Sequence, residues 1–333
     1  MLTLLRIASL CIGLFSCSLL ARPILMLDVV QHNHYLLAAA ERGYVAKLNI
    51  QENDKVTLVK TPTDAMLTAI TLAKDDTLWA VGHEGVVLRS VDSGNSWQLV
   101  YQHPNGGVLF DVQFINEQHG VAIGAYGLFL RTMDGGKTWQ QEFHDGLLPP
   151  EDREYLQALR AQSEEDYQFE LASILPHLNR ITLVEDKLFV VGELGLLAVS
   201  TDSGKSWHRL NFSYQGSLYD VTATRQGIWV SGMRGNLYYI EQQQLTKATS
   251  DPAARIKDKK INFPEPVNIN TIACNQGACL LIGNSQTVWK LDNSEVIVVD
   301  KFKSKSFVSA LIVDNKFAYL VGENGFQKLQ YAN

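Results

Sequence analysis

The chain has 333 residues, of which 46% are apolar, 9% aromatic and 19% charged. That is ordinary globular composition, with room for one large domain or two small ones. Its formal net charge of −6 leaves no overall basic footprint for nucleic acid or anionic lipid, so no nucleic-acid partner is expected and any membrane contact is peripheral at most.

Residues 1–21, MLTLLRIASLCIGLFSCSLLA, depart from that average. One Arg precedes an almost wholly apolar run from Ile7 to Leu20, and the small Ala21 closes it. The run is short for a transmembrane helix and has the layout of a secretory signal, with cleavage expected after Ala21. Lipid attachment at Cys17, for which Phe15 is a poor fit, and retention as an uncleaved anchor are the alternatives. All three place residues 22–333, read as a single domain, outside the cytoplasm in a periplasmic or similar compartment.

From Ile24 onward the sequence repeats. LWAVGHEGVVLRSVDSGNSWQLV (78–100), GVAIGAYGLFLRTMDGGKTWQQE (120–142) and LFVVGELGLLAVSTDSGKSWHRL (188–210) match almost letter for letter. Each reads as an apolar strand, a Gly-x-x-Gly turn, a second strand, then Ser/Thr-x-Asp-x-Gly-x-Ser/Thr-Trp. Weaker copies of the first half occupy 36–48, 227–240, 279–291 and 317–329. The turn opens at Ala40, Gly82, Gly124, Gly192, Gly232, Gly283 and Gly322. A period of about 40 residues with several short strands per unit is the signature of a β-propeller. The expected fold is all-β, with seven blades for seven copies. An apolar stretch upstream of each turn, such as ILMLDVV, VLFDVQF and SLYDVTA, supplies the innermost strand. The last copy stops one strand short at Tyr331-Ala332-Asn333, which leaves ring closure open.

Three copies carry the full Asp-box pattern: Ser90/Asp92/Gly94/Ser96/Trp97, Thr132/Asp134/Gly136/Thr138/Trp139 and Ser200/Asp202/Gly204/Ser206/Trp207. The Asp carboxylate is expected to accept backbone N–H groups about two residues on, while Gly supplies a positive φ. Trp buries a large apolar area between strands. The motif is architectural, and sharper readings fail. A phosphate-binding loop needs Gly five residues before its Gly-Lys-Ser/Thr, where this chain has Arg131 and Val199. A calcium loop counted from Asp134 would need Glu where Asp145 stands, and Lys137 and Trp139 interrupt its ligands. Neither cofactor nor metal is expected.

Asp boxes occur in sialidases, in other secreted propellers and in the photosystem II assembly and stability factor family. The full unit here resembles that last family and its bacterial relatives outside photosynthetic organisms, over nearly the whole chain and most strongly in blades two to four. The resemblance implies a non-catalytic, secreted or lumenal seven-bladed scaffold that binds a protein partner during assembly of a membrane complex. The partner expected here is an envelope or membrane complex, with the propeller itself monomeric.

With strands running outward from the channel, Gly-x-x-Gly turns and Asp boxes lie on opposite faces. Connections between blades share the Gly-x-x-Gly face, and 143–178 and 242–267 are both assigned there. The first is a short helical insertion between blades three and four, with Tyr155, Leu156 and Leu159 in one piece and Tyr167, Leu171 and Ile174 in another. Ser163 and Asp166 are a candidate capping pair. It either folds onto its own propeller or serves as a docking element. The second, DPAARIKDKKINFPEP, reads as a mobile surface loop. The turns present Glu41, Arg42, His83, Glu84, Tyr126, Glu193, Arg234 and Glu323 as candidate partner-binding residues. The plainer reading is a solubilising rim.

Cys274 and Cys279 flank NQGA between strand-like runs, at hairpin spacing for a local disulfide. No His or further Cys stands near at metal-ligand spacing. The rival function is a secreted sialidase-like glycoside hydrolase, whose chemistry needs three converging arginines. Arg89 and Arg131 fall in outer strands, Arg153 and Arg160 in the insertion, Arg42 and Arg234 in turns, and only Arg180 near an inner strand. No catalytic residue is therefore assigned.

Overall fold

A computed structural model describes residues 23–332 apart from 53, 252–253, 276–277, 293–294 and 304–306. The expected leader, residues 1–21 with Cys11 and Cys17, lies outside the described residues. The chain forms seven antiparallel sheets in sequence order, each a propeller blade. Blade one is β1–β4 (Met26–His32, Tyr35–Ala40, Tyr44–Asn49, Lys55–Lys60) and blade two is β5–β8 (Leu67–Leu72, Leu78–Gly82, Val86–Ser90, Gln98–Gln102). Blade three is β9–β12 (Leu109–Phe114, Gly120–Gly124, Phe129–Thr132, Gln140–Gln141) and blade four is β13–β16 (Leu178–Val184, Lys187–Gly192, Leu197–Ser200, His208–Arg209). Blade five is β17–β20 (Leu218–Thr224, Gly227–Gly232, Leu237–Glu241, Lys259–Ile261). Blade six is β21–β24 (Ile269–Cys274, Cys279–Gly283, Thr287–Asp292, Glu295–Lys301), and blade seven is β25–β27 (Phe307–Ile312, Phe317–Gly322, Gly325–Gln330).

Burial follows position in the blade. The second strands are buried almost throughout, whereas outermost β4 is exposed along nearly its whole length. Blade seven has three strands among the described residues. Its seam with blade one is packed by Met26, Val29, Leu36 and Leu48 against Tyr319 and Val321, so side chains rather than a shared sheet close the ring there.

The three Asp turns hold blade to blade. In each, the carboxylate of Asp92, Asp134 or Asp202 accepts the backbone N–H and the hydroxyl of the Ser or Thr four residues on, at 2.6–2.9 Å. The expected span of two residues was too short, because the turn is a wider loop closed around Gly. The preceding hydroxyl donates to the same carboxylate and accepts the Gly N–H.

The Trp of each motif is buried as expected from the sequence, and the structure buries the Gly with it. Asp92 and Asp202 are exposed, but Gly94, Gly136 and Gly204 are buried, and so are Trp97, Trp139 and Trp207. The cause is the preceding blade, which presses against the underside of each turn. Gly136 has φ +77°, and a Cβ there would overlap the Trp79 ring of blade two. Gly94, at φ +76°, would overlap Leu37 of blade one, and Gly204, at φ +81°, would bring a Cβ within 3.1 Å of Val121 of blade three. These glycines therefore provide close approach between blades as well as the positive φ expected of them. Trp97 packs in one cluster with Leu37 and Ala39 of blade one and Leu78 and Leu88 of its own blade. Trp139 packs edge-on against Trp79 and Phe114, and Trp207 against Phe129 of blade three. Each Trp thus buries itself across the seam to the preceding blade as well as within its own. Lys137 is exposed, a solvated turn residue.

The insertion forms two helices, α1 (Pro150–Arg160) and α2 (Glu164–Ile174). Ser163 caps α2 by accepting the Asp166 N–H at 3.1 Å. Leu156, Tyr167 and Leu171 are buried in one cluster with Phe129 of blade three and Leu188 and Trp207 of blade four. The hairpin is therefore folded onto its own propeller. Tyr155, in the same helical piece as Leu156, faces solvent.

The second long connection corrects the expectation on two counts. Residues 242–250 form helix α3 (Gln242–Ser250), whose Leu245 and Ala248 are buried. Because β20 is the fourth strand of blade five, paired with β19, residues 242–258 join third to fourth strand. They take the place of an Asp turn, on the face opposite the Gly-x-x-Gly turns. Helix α3 contains no proline and precedes the Pro-containing stretch, and its burial depends on the blade four–five seam. Cys274 and Cys279 lie directly opposite in β21–β22 and form the expected disulfide, with Cα atoms 4.1 Å apart.

Candidate functional site

The Gly-x-x-Gly turns share one construction. The residue after the first Gly, or after Ala40 in blade one, ties its N–H back to the entry of its own innermost strand, as His83 does to Met66 O at 2.9 Å. The next residue takes a left-handed conformation in Arg42, Glu84, Tyr126, Leu194 and Arg234, with φ between 53° and 60°. That conformation is uncommon for residues other than glycine. The final Gly then meets the chain entering the next blade, as Gly127 N–H bonds Pro176 O at 2.9 Å.

This construction divides the candidates into two sets. First-position residues are half-buried and used internally. Glu41 accepts the Leu25 N–H at 3.3 Å and pairs with Arg42 at 2.7 Å, and Glu193 lies 3.8 Å from the His177 ring. His83 is half-buried as well. Second-position residues Arg42, Glu84, Tyr126, Leu194 and Arg234 project outward, and Glu323 is exposed in the tighter turn of blade seven. The densest part spans blades three and four. Tyr126 is 75% exposed and stacks edge-on against His177 at 4.5 Å, which links it to Glu193. Leu194 and Phe169 of α2 are further exposed apolar residues of this region of the chain.

The channel holds a second constellation, of which sequence reasoning named only Arg180. Every innermost strand carries a register shift at the same place, around Asp28, Ala69, Leu109, Arg180, Asp220, Thr271 and Ser309. Bulges of this kind re-aim the following side chain. Arg180 reaches Asp28, Asp111 and Asp220 at 3.4–3.6 Å, joining blades one, three, four and five. Each Asp also accepts an inner-strand N–H from the next blade: Ile70 at 3.2 Å, Ile181 at 2.9 Å and Ile272 at 2.6 Å. Burial pushes the Asp111 carboxyl up to about 6 although Arg180 opposes the shift, and Asp220 is raised for the same reason. Three carboxylates raise Arg180 in turn, Asp111 most. The recurring LDVV, FDVQ and YDVT of the inner strands carried this signal. Their common Asp reads as an ordinary polar residue until the ring brings the strands together.

On the Asp-turn face, hydrogen bonds from Thr138, backbone first, draw the Asp134 carboxyl down to about 2. Those carboxylates are fully used within their turns. Among the described residues no group of three or more His, Cys, Asp or Glu side chains could hold a metal ion.

Residues 99–243, which contain two Asp turns, the insertion and the turns of Tyr126, Glu193 and Arg234, match the family model described as photosynthesis system II assembly factor YCF48. The chain is a seven-bladed β-propeller whose residues 99–243 are similar to that family. Among solved structures, YCF48 bound to a D1 peptide aligns with a TM-score of 0.64 at 15% identity, over 94% of this chain and 95% of that one. YCF48 from Cyanidioschyzon merolae gives 0.67 at 12% identity, over 94% and 96% of the two chains. The Cps50 (Swd1) propeller domain of Myceliophteria thermophila gives 0.70 at 10% identity, over 92% and 98%. At these identities the likeness shows the fold alone. No curated protein sequence matches it.

Proposed function

We propose that this propeller is a non-catalytic, extracytoplasmic scaffold that binds a protein partner and assists assembly or stability of a membrane complex. The observation that carries the reading is the match of residues 99–243 to the assembly-factor model. It is supported by the fold shared with a YCF48 that was solved with a D1 peptide bound. The secretory layout of residues 1–21 motivates the location. The docking face is the ring of Gly-x-x-Gly turns, where Arg42, Tyr126 and Arg234 stand outward on rigid left-handed turns. Preordered aromatic and Arg side chains make effective anchors because little freedom is lost on binding.

The glycosidase alternative asks for three arginines around a substrate carboxylate. Among the described residues the channel presents the opposite balance, one Arg among three buried aspartates. An anionic sugar would meet net negative charge there. The reading is tested by affinity purification from the native envelope with the wild-type chain and an Arg42→Ala/Tyr126→Ala/Arg234→Ala variant. The expected result is a membrane-complex subunit captured by the wild type and lost in the folded variant. Equal capture by both would rule out the turn face.

A further inference from the structure

The outer wall of blade four carries a cleft of about 880 Å³, lined by Pro149 and Arg153 of the insertion, by Arg209 and Leu210 at the end of the blade, and by the acidic Glu151 and Asp251. A smaller cavity of about 370 Å³ adjoins it and shares Arg153. The cleft lies outside the channel and reaches Gly195 of the blade-four Gly-x-x-Gly turn.

The two arginines of this wall have no ion-pair partner among the described residues. Arg209 donates through Nη1 to Leu147 O at 3.1 Å and through Nη2 to Leu194 O. Both acceptors are neutral carbonyls, and among the described residues neither Arg209 nor Arg153 forms an ion pair with a carboxylate. Arg153 Nε is buried without a hydrogen-bond partner. Burial, then the nearby Arg153 guanidinium, pushes Arg209 down to about 10, with Asp152 and Glu151 opposing. A buried cation is costly unless a counter-charge meets it. Arg153 follows Glu151 and Asp152 of the first turn of α1, and that helix start has no side-chain cap.

We infer that the blade-four cleft binds a small organic monocarboxylate, its carboxylate held between Arg153 and Arg209 and its apolar body against Pro149 and Leu210. Guanidinium matches a planar carboxylate through paired N–H donors. A cleft of this size holds one small molecule. Glu151 and Asp251 on the same wall limit its positive potential, so a dianion such as phosphate is disfavoured where a monoanion is accepted. The inference stands apart from the scaffold reading and needs no protein partner.

The test uses the purified whole chain, titrated with phenylacetate and separately with inorganic phosphate, observing the arginine Nε–H resonances by NMR. Saturable phenylacetate binding that moves the Arg153 signal is expected. Arg153→Gln should weaken it tenfold or more, about 1.4 kcal/mol. Arg160→Gln, on the same helix but paired with Glu164, should bind as the wild type does. Arg209→Met should abolish binding, and a folded-state spectrum is recorded alongside because Arg209 also staples Leu147 and Leu194. Absence of saturable binding, binding unchanged in Arg153→Gln, or phosphate binding as tightly as phenylacetate would each overturn the proposal.

Discussion

Arg180 shows how much one residue can decide in a ring. It is half-exposed at the channel, yet it is the only ion-pair partner among the described residues for three aspartates that are each at most 6% exposed. Removing one partner from a buried ionic group leaves charge uncompensated, at a cost of about 3–5 kcal/mol. Arg180→Met should lower the thermal midpoint accordingly in calorimetry, and an unchanged midpoint would show that the aspartates are held by their N–H and hydroxyl donors alone. Asp111 makes a separate pH prediction. Its folded pKa of about 6 lies above the usual carboxyl range, so the folded state holds the proton more tightly than the unfolded chain. The stability due to this group is then complete below about pH 4 and lost as pH rises through about 6. In urea unfolding, the advantage of wild type over Asp111→Asn should shrink across that window; growth of the advantage would reverse the assignment. Sequence reading found Arg180 only as an arginine close to an inner strand. Its partners come from blades one, three and five, and no local pattern discloses which strands will face each other across a channel.

At the scale of the element, what was legible was what repeats locally. The Asp turn satisfies its own hydrogen bonds within eight residues, so its role could be read from spacing alone. The burial of Gly94 and Gly204 could not, nor could the neighbours of Trp97, because the side chains that cover them come partly from the preceding blade. Gly136→Ala should be strongly destabilising, by more than about 2 kcal/mol, since it combines a disfavoured φ with overlap on Trp79. Denaturant unfolding of that variant checks it. The insertion was legible as two amphipathic pieces, and Ser163 as the cap of the second. Where the pair docks was not, because Leu156, Tyr167 and Leu171 become core only against blades three and four. Leu171→Ala should cost about 2–5 kcal/mol, the range for an aliphatic side chain deleted from a packed core. A loss below about 1 kcal/mol would mean that the hairpin rests on the propeller without being part of its core. Helix α3 was missed for a related reason. Its apolar face is brief, and only the unusual length of the third connection in blade five marked the place where an Asp turn is replaced.

For the whole molecule, the seven-fold count followed from the period of the turns, but closure did not. A ring joins positions at opposite ends of the sequence, as when Ser309 donates to Asp28 at 3.2 Å, and nothing in a linear repeat announces that contact. The same geometry separates the two faces. Asp turns consume their polar groups internally, whereas the Gly-x-x-Gly turns hold Arg42, Tyr126 and Arg234 outward on rigid backbone. The central claim is that the second face meets a protein partner. Site-specific photocrosslinking in native envelopes tests it most directly, with the photoreactive residue placed at Tyr126 in one variant and at exposed Lys137 on the Asp-turn face in another. The account predicts a discrete crosslinked partner from position 126 and none from position 137. A partner crosslinked only from position 137 would contradict it.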